Sequence, residues 1–381
     1  MALKPPVEVP QGAIRLNTDS QKLEFFAQDQ WWEMATHEAL TGQDKALFAG
    51  AYQHPGNTSN VIDYIHISSE GNAVDFGDLL NAQGTGTSFG SVTRAIWAGG
   101  WISPGMSNVI QYATIPTQGN AIDFGDMTYS AGHGLGGCST SVRGLIAGGN
   151  PQTNTINYVT IASEGNATDF GDMTTGNMQG NGGLANATRG IWGGGYQGGV
   201  INIMQYVTID TTGNAQDFGD LTAAMSGPAG GSSPTRGLWI GGGTPTKQNS
   251  IQYITISTKG NAADFGDLTQ GTDSNSTAAG NAVRQIFFSG GSKTNTMEFI
   301  ITATLGNAID FGDMTTTNRY SASSNASSTR ATVGGGNHPS STDVIDFVEI
   351  MHTGNALDFG NLTTSRTLCM RGCFSNGHGG L

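Results

Sequence analysis

Charge is scarce in this chain. Lys, Arg, Asp and Glu make up 12% of its 381 residues, about half the share usual in globular domains. The 16 cations are scattered and outnumbered by 29 acids, leaving a formal charge of −13. Nucleic-acid backbones are held by clustered Lys and Arg, so no nucleic-acid partner is expected. No run approaches the roughly 18 apolar residues of a membrane span. The opening "MALKPPVEVP" does not read as a secretory signal, and no membrane partner is expected.

Cysteine is almost absent: Cys138, Cys369 and Cys373. On one strand the last two would stand about 13 Å apart at ~3.3 Å per residue, too far for a disulfide. Free thiols and synthesis in a reducing cytoplasm are therefore expected. Cys-x3-Cys is a poor metal pair, and the histidines recur at no ligand spacing. A P-loop, an HExxH helix and a GxSxG elbow are all missing. The expectation is no catalytic residue, no metal and no cofactor.

Glycine is what the chain has in excess, 59 residues or about twice the average share, and much of it recurs in one phrase. "GNAVDFGDLL" at 71 returns as "GNAIDFGDMT" at 119, "GNATDFGDMT" at 165, "GNAQDFGDLT" at 213, "GNAADFGDLT" at 260, "GNAIDFGDMT" at 306 and "GNALDFGNLT" at 354. The leading glycines are 48, 46, 48, 47, 46 and 48 residues apart. DFG is also a kinase signature, but a kinase has one, together with an HRD loop and a lysine strand that are missing here. Seven copies are architecture.

Each unit carries further signals in phase. Seven residues before each leading glycine stands an aromatic: Tyr64, Tyr112, Tyr158, Tyr206, Tyr253, Phe299 and Phe347. It sits in an apolar, β-branched run such as "SIQYITI" that reads as a buried strand. Earlier lies a strand opened by a cation and closed by glycines, as in "TRGIWGGG". Its cations are Lys45, Arg94, Arg143, Arg189, Arg236, Arg284 and Arg330. With a Gly/Ser/Ala-rich strand before it and the DFGD strand last, each unit has four antiparallel strands. Seven such units predict an all-β, seven-bladed β-propeller. Its repeat begins at the second strand and ends on an orphan first strand, "RTLCMRGCFSNG" at 366–377, so both termini are expected to build the closing blade.

Over residues 42–381 this pattern resembles kelch propellers, through the double-glycine strand and the aromatic strand that follows it. "DFGD" stands where kelch units usually place a Trp. The resemblance implies architecture more than function. Some kelch-like propellers are copper oxidases, but the His/Tyr metal set is not apparent here. An arginine cluster of the sialidase kind would gather at the centre, whereas these cations recur evenly, once per blade.

The repeat aspartates Asp75, Asp123, Asp169, Asp217, Asp264, Asp310 and Asp358 are expected to be structural. They could cap turns or pair with the repeat arginines; a repeated calcium site is the sharper alternative. From each leading glycine to the next Arg is 23 or 24 residues, while from each cation to the next phrase is 22 to 26. Length variation therefore falls in the loop after the double glycine. On a rigid ring, variable loops are where binding resides. Those loops and the ones after DFGD offer His54, Trp101, His133, Tyr196, Lys247, Arg319, Tyr320 and His338. Aromatics among Asn, Ser and Thr make a surface suited to sugars.

Residues 11–41 differ in composition and follow an extended arm, 1–10. "QGAIRLNTDSQKLEFFAQDQWWEM" at 11–34 reads as short hairpin strands. It resembles a module of tailed-bacteriophage virion proteins, through Gly12, Ile14, Arg15, Asn17, Thr18, Lys22, Leu23, Glu24, Phe25 and Trp32. It departs at the second turn, where those proteins usually carry Tyr-Asp-Gly. The resemblance implies a virion protein made in the host cytoplasm and displayed on the particle. Arg15, Phe25, Phe26, Trp31 and Trp32 would then serve attachment to other virion proteins. The expected role is a tail- or fibre-type appendage whose propeller binds a host-surface glycan or another virion protein, with homo-oligomers open. The alternatives are a capsid or baseplate decoration protein without host ligand, and a propeller hydrolase or oxidase acting on polysaccharide.

Overall fold

The computed structural model describes residues 10, 12–17, 22–27, 30–33, 44–53, 57–175, 182–243, 246–272, 277–288, 294–317, 321–337, 340–367 and 374–375. The chain divides into two compact units, Met1–Gln43 and Asp44–Leu381. In the first, strands Ile14–Asn17, Lys22–Ala27 and Gln30–Glu33 form an antiparallel meander. Arg15 ties it together. Its Nε donates to Glu24 Oε2 at 2.7 Å, and its guanidinium lies 4.1 Å from the Trp31 ring centre. Trp31 meets Phe26 edge-on at 5.3 Å. The side chains of Phe25 and Trp32 lie outside the described residues.

The second unit is a seven-bladed β-propeller, each blade a sheet of four strands taken in chain order from the hub outward. Blade 4 is typical: Gly182–Ala185, Arg189–Gly193, Ile203–Thr208 and Gln216–Asp220. Blade 2 adds a short hairpin strand, Trp101–Ile102. Blade 1 is built from both ends of the chain. Lys45–Gln53, Asn57–His66 and Val74–Asp78 take the outer places, and Phe374–Ser375 pairs with Leu47 and Ala46 as the innermost strand. The sequence placed that strand at 366–377, and its start needs correcting. Arg366 ends the outer strand of blade 7, Leu357–Arg366, and its side chain is fully buried between blades.

Apolar side chains fill the wedges between blades. Phe76 and Leu79 of blade 1 pack with Trp97, Ala113 and Ile115 of blade 2, and the other wedges follow the same plan. Within every blade the DFG phenylalanine meets the third-strand aromatic edge-on, as Phe218 does Tyr206 at 5.7 Å. The repeat cation covers the other side of that aromatic, as Arg189 does at 5.0 Å. Desolvated rings in such a stack attract one another and the cation beyond plain burial.

The repeated phrase joins neighbouring blades. Each leading-glycine N–H donates to the DFG phenylalanine carbonyl of the blade before, from Gly119 to Phe76 (2.9 Å) around to Gly71 and Phe359 (2.8 Å). The following Asn accepts from the backbone one residue past that DFG, as Asn261 Oδ1 does from Asp220 N at 3.0 Å. These contacts cover the outer-strand edges, which would otherwise offer free pairing groups to other chains. A second ring of bonds uses the buried polar residue just before each aromatic. Gln111 accepts from Leu80 N at 2.7 Å, Asn157 from Thr128 N at 2.8 Å, and Asp63 from Thr363 N at 3.0 Å.

The repeat arginines do not pair with the DFGD aspartates. Each reaches a main-chain carbonyl of the next blade: Arg94 to Ile161 at 2.9 Å, Arg143 to Ile209 at 2.7 Å, Arg189 to Ile256 at 2.7 Å, Arg236 to Thr302 at 2.6 Å and Arg284 to Ile350 at 2.9 Å. Arg330 reaches Ile67 at 3.4 Å, and Lys45 reaches Ile115 at 3.2 Å. Where carboxylates approach, they come from elsewhere, Glu349 at 2.6 Å from Arg330 and Glu164 at 3.8 Å from Arg94. The aspartates cap their own turns. Asp75, Asp123, Asp169, Asp264, Asp310 and Asp358 each accept from the N–H of the DFG glycine at 3.1 to 3.2 Å.

Candidate functional site

Two faces of the ring differ in kind. One carries the turns between first and second strands, which are nearly identical from blade to blade. In each of blades 2 to 7 a Ser, Thr or Asn two residues into the turn caps the backbone ahead of the arginine, as Asn281 Oδ1 accepts from Val283 N at 3.0 Å and Arg284 N at 2.9 Å. The opposite face carries the loops after the double glycine and after the outer strand, and here the blades diverge.

On that divergent face a continuous set of side chains crosses blades 2 to 4. Trp101 sits half-buried on its hairpin. Its N–H donates to Gly84 O at 2.7 Å and its carbonyl accepts from Gly84 N at 3.1 Å. Its ring edge lies against Gly132, where a Cβ would be 3.4 Å from Cε3. Gly132 N donates to Asn150 O at 2.8 Å, and the Asn150 amide meets His133 Nε2 at 2.9 Å. Two residues on, Gln152 Nε2 donates to the carbonyl of Tyr196 at 3.2 Å, and Tyr196 is 40% exposed. Two aromatics thus flank an imidazole and two amides. Such a set stacks on apolar ring faces and trades hydrogen bonds with hydroxyls.

Of the residues singled out from the sequence, Trp101, His133 and Tyr196 fall in this set. Lys247 is exposed on blade 5, away from it in the chain of contacts. His54, Arg319, Tyr320 and His338 lie outside the described residues. Sequence reasoning passed over Asn150 and Gln152. They stood in the loop "NPQTNT", where only contact with a neighbouring blade distinguishes them from filler.

A second concavity lies at the hub and reaches the conserved turns. It encloses about 650 Å³ and is lined by small or neutral residues, among them Ser88, Gly137, Ser232, Asn281 and Gln285. Hub crowding accounts for much of this lining: a Cβ on Gly183 would come within 2.8 Å of Gly137 O. Cys138 also lines it, and burial pushes its thiol up to about 12, so the thiolate needed for nucleophilic work is suppressed. On the turn face, Tyr112 Oη donates to Glu164 at 2.6 Å, and that hydrogen bond raises the phenol. Among the described residues no three His, Cys, Asp or Glu are grouped to hold a metal.

Comparison with known proteins adds little beyond the fold. No family model matches the chain, and no curated protein does. Among solved structures it is similar to that of YjhT, with a TM-score of 0.50 at 10% identity over 62% of this chain and 85% of that one. At that identity the likeness speaks for the fold alone. The chain is a seven-bladed β-propeller that closes through both of its termini.

Proposed function

We propose that this chain is a structural protein of a tailed-bacteriophage virion, a tail- or fibre-type appendage whose propeller binds a host-surface glycan through the face bearing Trp101, His133, Asn150, Gln152 and Tyr196. One observation carries the binding reading: the repeated charged residues, which could have served chemistry, are engaged in turns and between blades. That leaves the divergent face, with its aromatics and amides, as the place where blades differ for a purpose other than closure. Attachment to the particle is assigned to the N-terminal meander. Its Arg15, Phe26 and Trp31 form one packed cluster, and these are residues of the segment that resembles phage virion modules.

The test is binding of the full chain to a panel of bacterial capsular and lipopolysaccharide glycans, with Tyr196→Ala and Trp101→Ala beside it. Binding to a subset of glycans, weakened about tenfold or more by either change, supports the reading, since stacking contacts are worth ~1–3 kcal/mol each. Equal retention by the wild type and both variants would remove this face from the proposal.

A second reading, decoration of a capsid or baseplate without a host ligand, has its own observation. The exposed position before each DFGD carries Ile309, Leu357, Val74 and Ile122 on blades 6, 7, 1 and 2, but Thr168, Gln216 and Ala263 on blades 3 to 5. Each apolar residue is followed by an exposed Asp, which suits a neighbouring virion protein with an apolar and basic contact face. Copy number per particle separates the two readings: few for an appendage, hundreds for a decoration protein.

A further inference from the structure

The seams between blades share one plan, and the closing seam adds a buried arginine to it. Eight residues past the first aspartate of each DFGD phrase, the sequence sets the last copy apart. There the sequence reads Gln83, Ala131, Asn177, Met225, Thr272 and Asn318, and then Arg366. Only in the last copy, which ends at the seam from blade 7 to blade 1, is this residue charged. Arg366 is fully buried, and so is the carboxylate it meets, Asp63 of blade 1. Its guanidinium donates to Asp63 Oδ2 and also to the carbonyls of Phe48 at 3.3 Å and Val61 at 2.9 Å. Asp63 further accepts from Thr363 N at 3.0 Å and Thr363 Oγ1 at 2.6 Å. In blades 2 to 5 the partner position is an amide, Gln111, Asn157, Gln205 or Gln252, and in blades 6 and 7 it is again a carboxylate, Glu298 and Asp346; what sets the closing seam apart is the buried arginine.

Near-identical blades raise a problem of identity. The contacts that seal one seam would seal another, so blade 7 could close on blade 2 and leave blade 1 outside. We propose that the Asp63–Arg366 pair is the key that makes blade 7 close on blade 1 and on no other blade. Closure of blade 7 on blade 2 would bury Arg366 opposite Gln111. That leaves a cation without a counterion in a dry wedge, which is far costlier than a mismatched neutral contact. A neutral pair would hold the correct seam comparably well, since replacing both members of a buried ion pair is often neutral in stability. What the charges add is the gap between the right ring and the wrong ones.

The experiment transplants a neutral pair that the protein already uses. Met225 and Gln252 face each other at the seam of blades 4 and 5, with Gln252 Nε2 3.9 Å from Met225 Sδ; the double variant Asp63→Gln with Arg366→Met places the same types at the closing seam. Full-length chain is unfolded, refolded by dilution, and read by hydrogen exchange with mass spectrometry. Peptides from residues 45–78 report blade 1, and peptides from residues 189–220 serve as the internal reference.

The wild type should give one protected envelope in both regions. The double variant should keep blade 4 protected while blade 1 splits into two envelopes. The unprotected fraction should rise from below about 1% to about a tenth of the molecules, the change expected when a gap of a few kcal/mol closes. Arg366→Met alone, which strands Asp63, should instead lower protection throughout the ring. A double variant with one blade 1 envelope like the wild type would overturn the proposal. So would uniform loss of protection in all blades, since it would make the pair a source of stability and not of identity.

Discussion

Substituting alanine for the DFG glycine of blade 4 tests how the repeated phrase works. Gly219 has φ near +140°, and a Cβ there would stand 2.5 Å from the carbonyl carbon and oxygen of Gly260 and 2.8 Å from Asn261 N. All three are backbone atoms of blade 5, so no side chain can swing aside. The turn must move, and with it the bonds from Gly260 N to Phe218 O, from Ala262 N to Asp220 O and from Asp220 N to Asn261 Oδ1. Backbone strain costs about 1–3 kcal/mol and forced overpacking about 1–3 kcal/mol. Weakened hydrogen bonds add about 1 kcal/mol each. Because these overlap, Gly219→Ala should lose about 3–6 kcal/mol.

The phrase contains its own control. Gly213 has φ near +153° but nothing within 4 Å of where its Cβ would be, so Gly213→Ala incurs the strain alone, about 1–3 kcal/mol. At about 2.1 cal/mol/K of unfolding entropy per residue, a ring of this length should lose about 4–8 °C of Tm from Gly219→Ala and about 1–4 °C from Gly213→Ala. Differential scanning calorimetry on both measures the difference. Equal losses, or a greater loss at Gly213, would refute the claim that the DFG glycine exists for the neighbour's approach.

Blades 5 and 6 exchange large and small residues. Leu184 packs where Gly237 leaves room, but one seam further Gly231 leaves room for Gln285, whose Oε1 would be 3.2 Å from a Cβ at 231. Gly231→Leu should cost about 1–3 kcal/mol by collision, and adding Gln285→Gly should recover most of it, a coupling of about 0.5–3 kcal/mol visible in a double-mutant cycle. Arg189→Met removes both the bond to Ile256 O and the cover on Tyr206. Chemical denaturation should show a loss of about 1–3 kcal/mol for this half-exposed group. At Asp44, burial would raise the carboxyl, yet its bonds with His66 and Ser68 outweigh that and hold it below its ordinary value. A depressed folded-state pKa stabilises above the ordinary carboxylate range and stops doing so as pH falls through the folded value. The stability gap between wild type and Asp44→Asn should therefore be full at neutral pH and vanish in acid below about pH 4.

Much of this fold was legible because a repeat writes its architecture many times over. The aromatic seven residues before each glycine, the cation opening each second strand and the glycine-rich strand ahead of it gave four strands per unit. The leftover strand at the end pointed to closure by both termini. What escaped was chemistry between blades. That Asn120 caps the backbone of Asp78, 42 residues earlier, needs the blades already side by side. The arginines bond main-chain carbonyls, and a carbonyl has no letter in the sequence; opposite charges in one unit left an Asp–Arg pair open beside the turn capping that the structure shows. Arg366 was read into the closing strand because it borders the apolar run "TLCM". A buried cation inside an outer strand leaves no periodic trace. The candidate binding set was half legible, since aromatics in loops stand out where Asn150 and Gln152 do not.

The seams also differ in how the chain crosses them, and that difference should show in dynamics. Between blades 3 and 4 only nine residues of sequence separate the end of the outer strand at Asp172 from the start of the next inner strand at Gly182. At the closing seam, the chain after blade 7 rejoins blade 1 through Phe374–Ser375, which pairs with Leu47 and Ala46. The other contacts there among the described residues are noncovalent and join residues roughly 260 to 320 apart, such as Arg330 with Ile67 and Arg366 with Phe48. Closing so long a loop is entropically costly, so the ring's lowest partial opening is expected at this seam even with the ion pair in place. The repeat again supplies matched probes: Gly71 N–H donates to Phe359 O at the closing seam, and Gly213 N–H makes the same bond to Phe170 O at 2.7 Å inside the ring. In native exchange Gly71, Ala73 and Thr363 should lose protection before Gly213, Ala215 and Thr174, although their bonds are near copies. If the two sets exchange together, the ring opens only as a whole, and closure is as strong as the covalently linked seams.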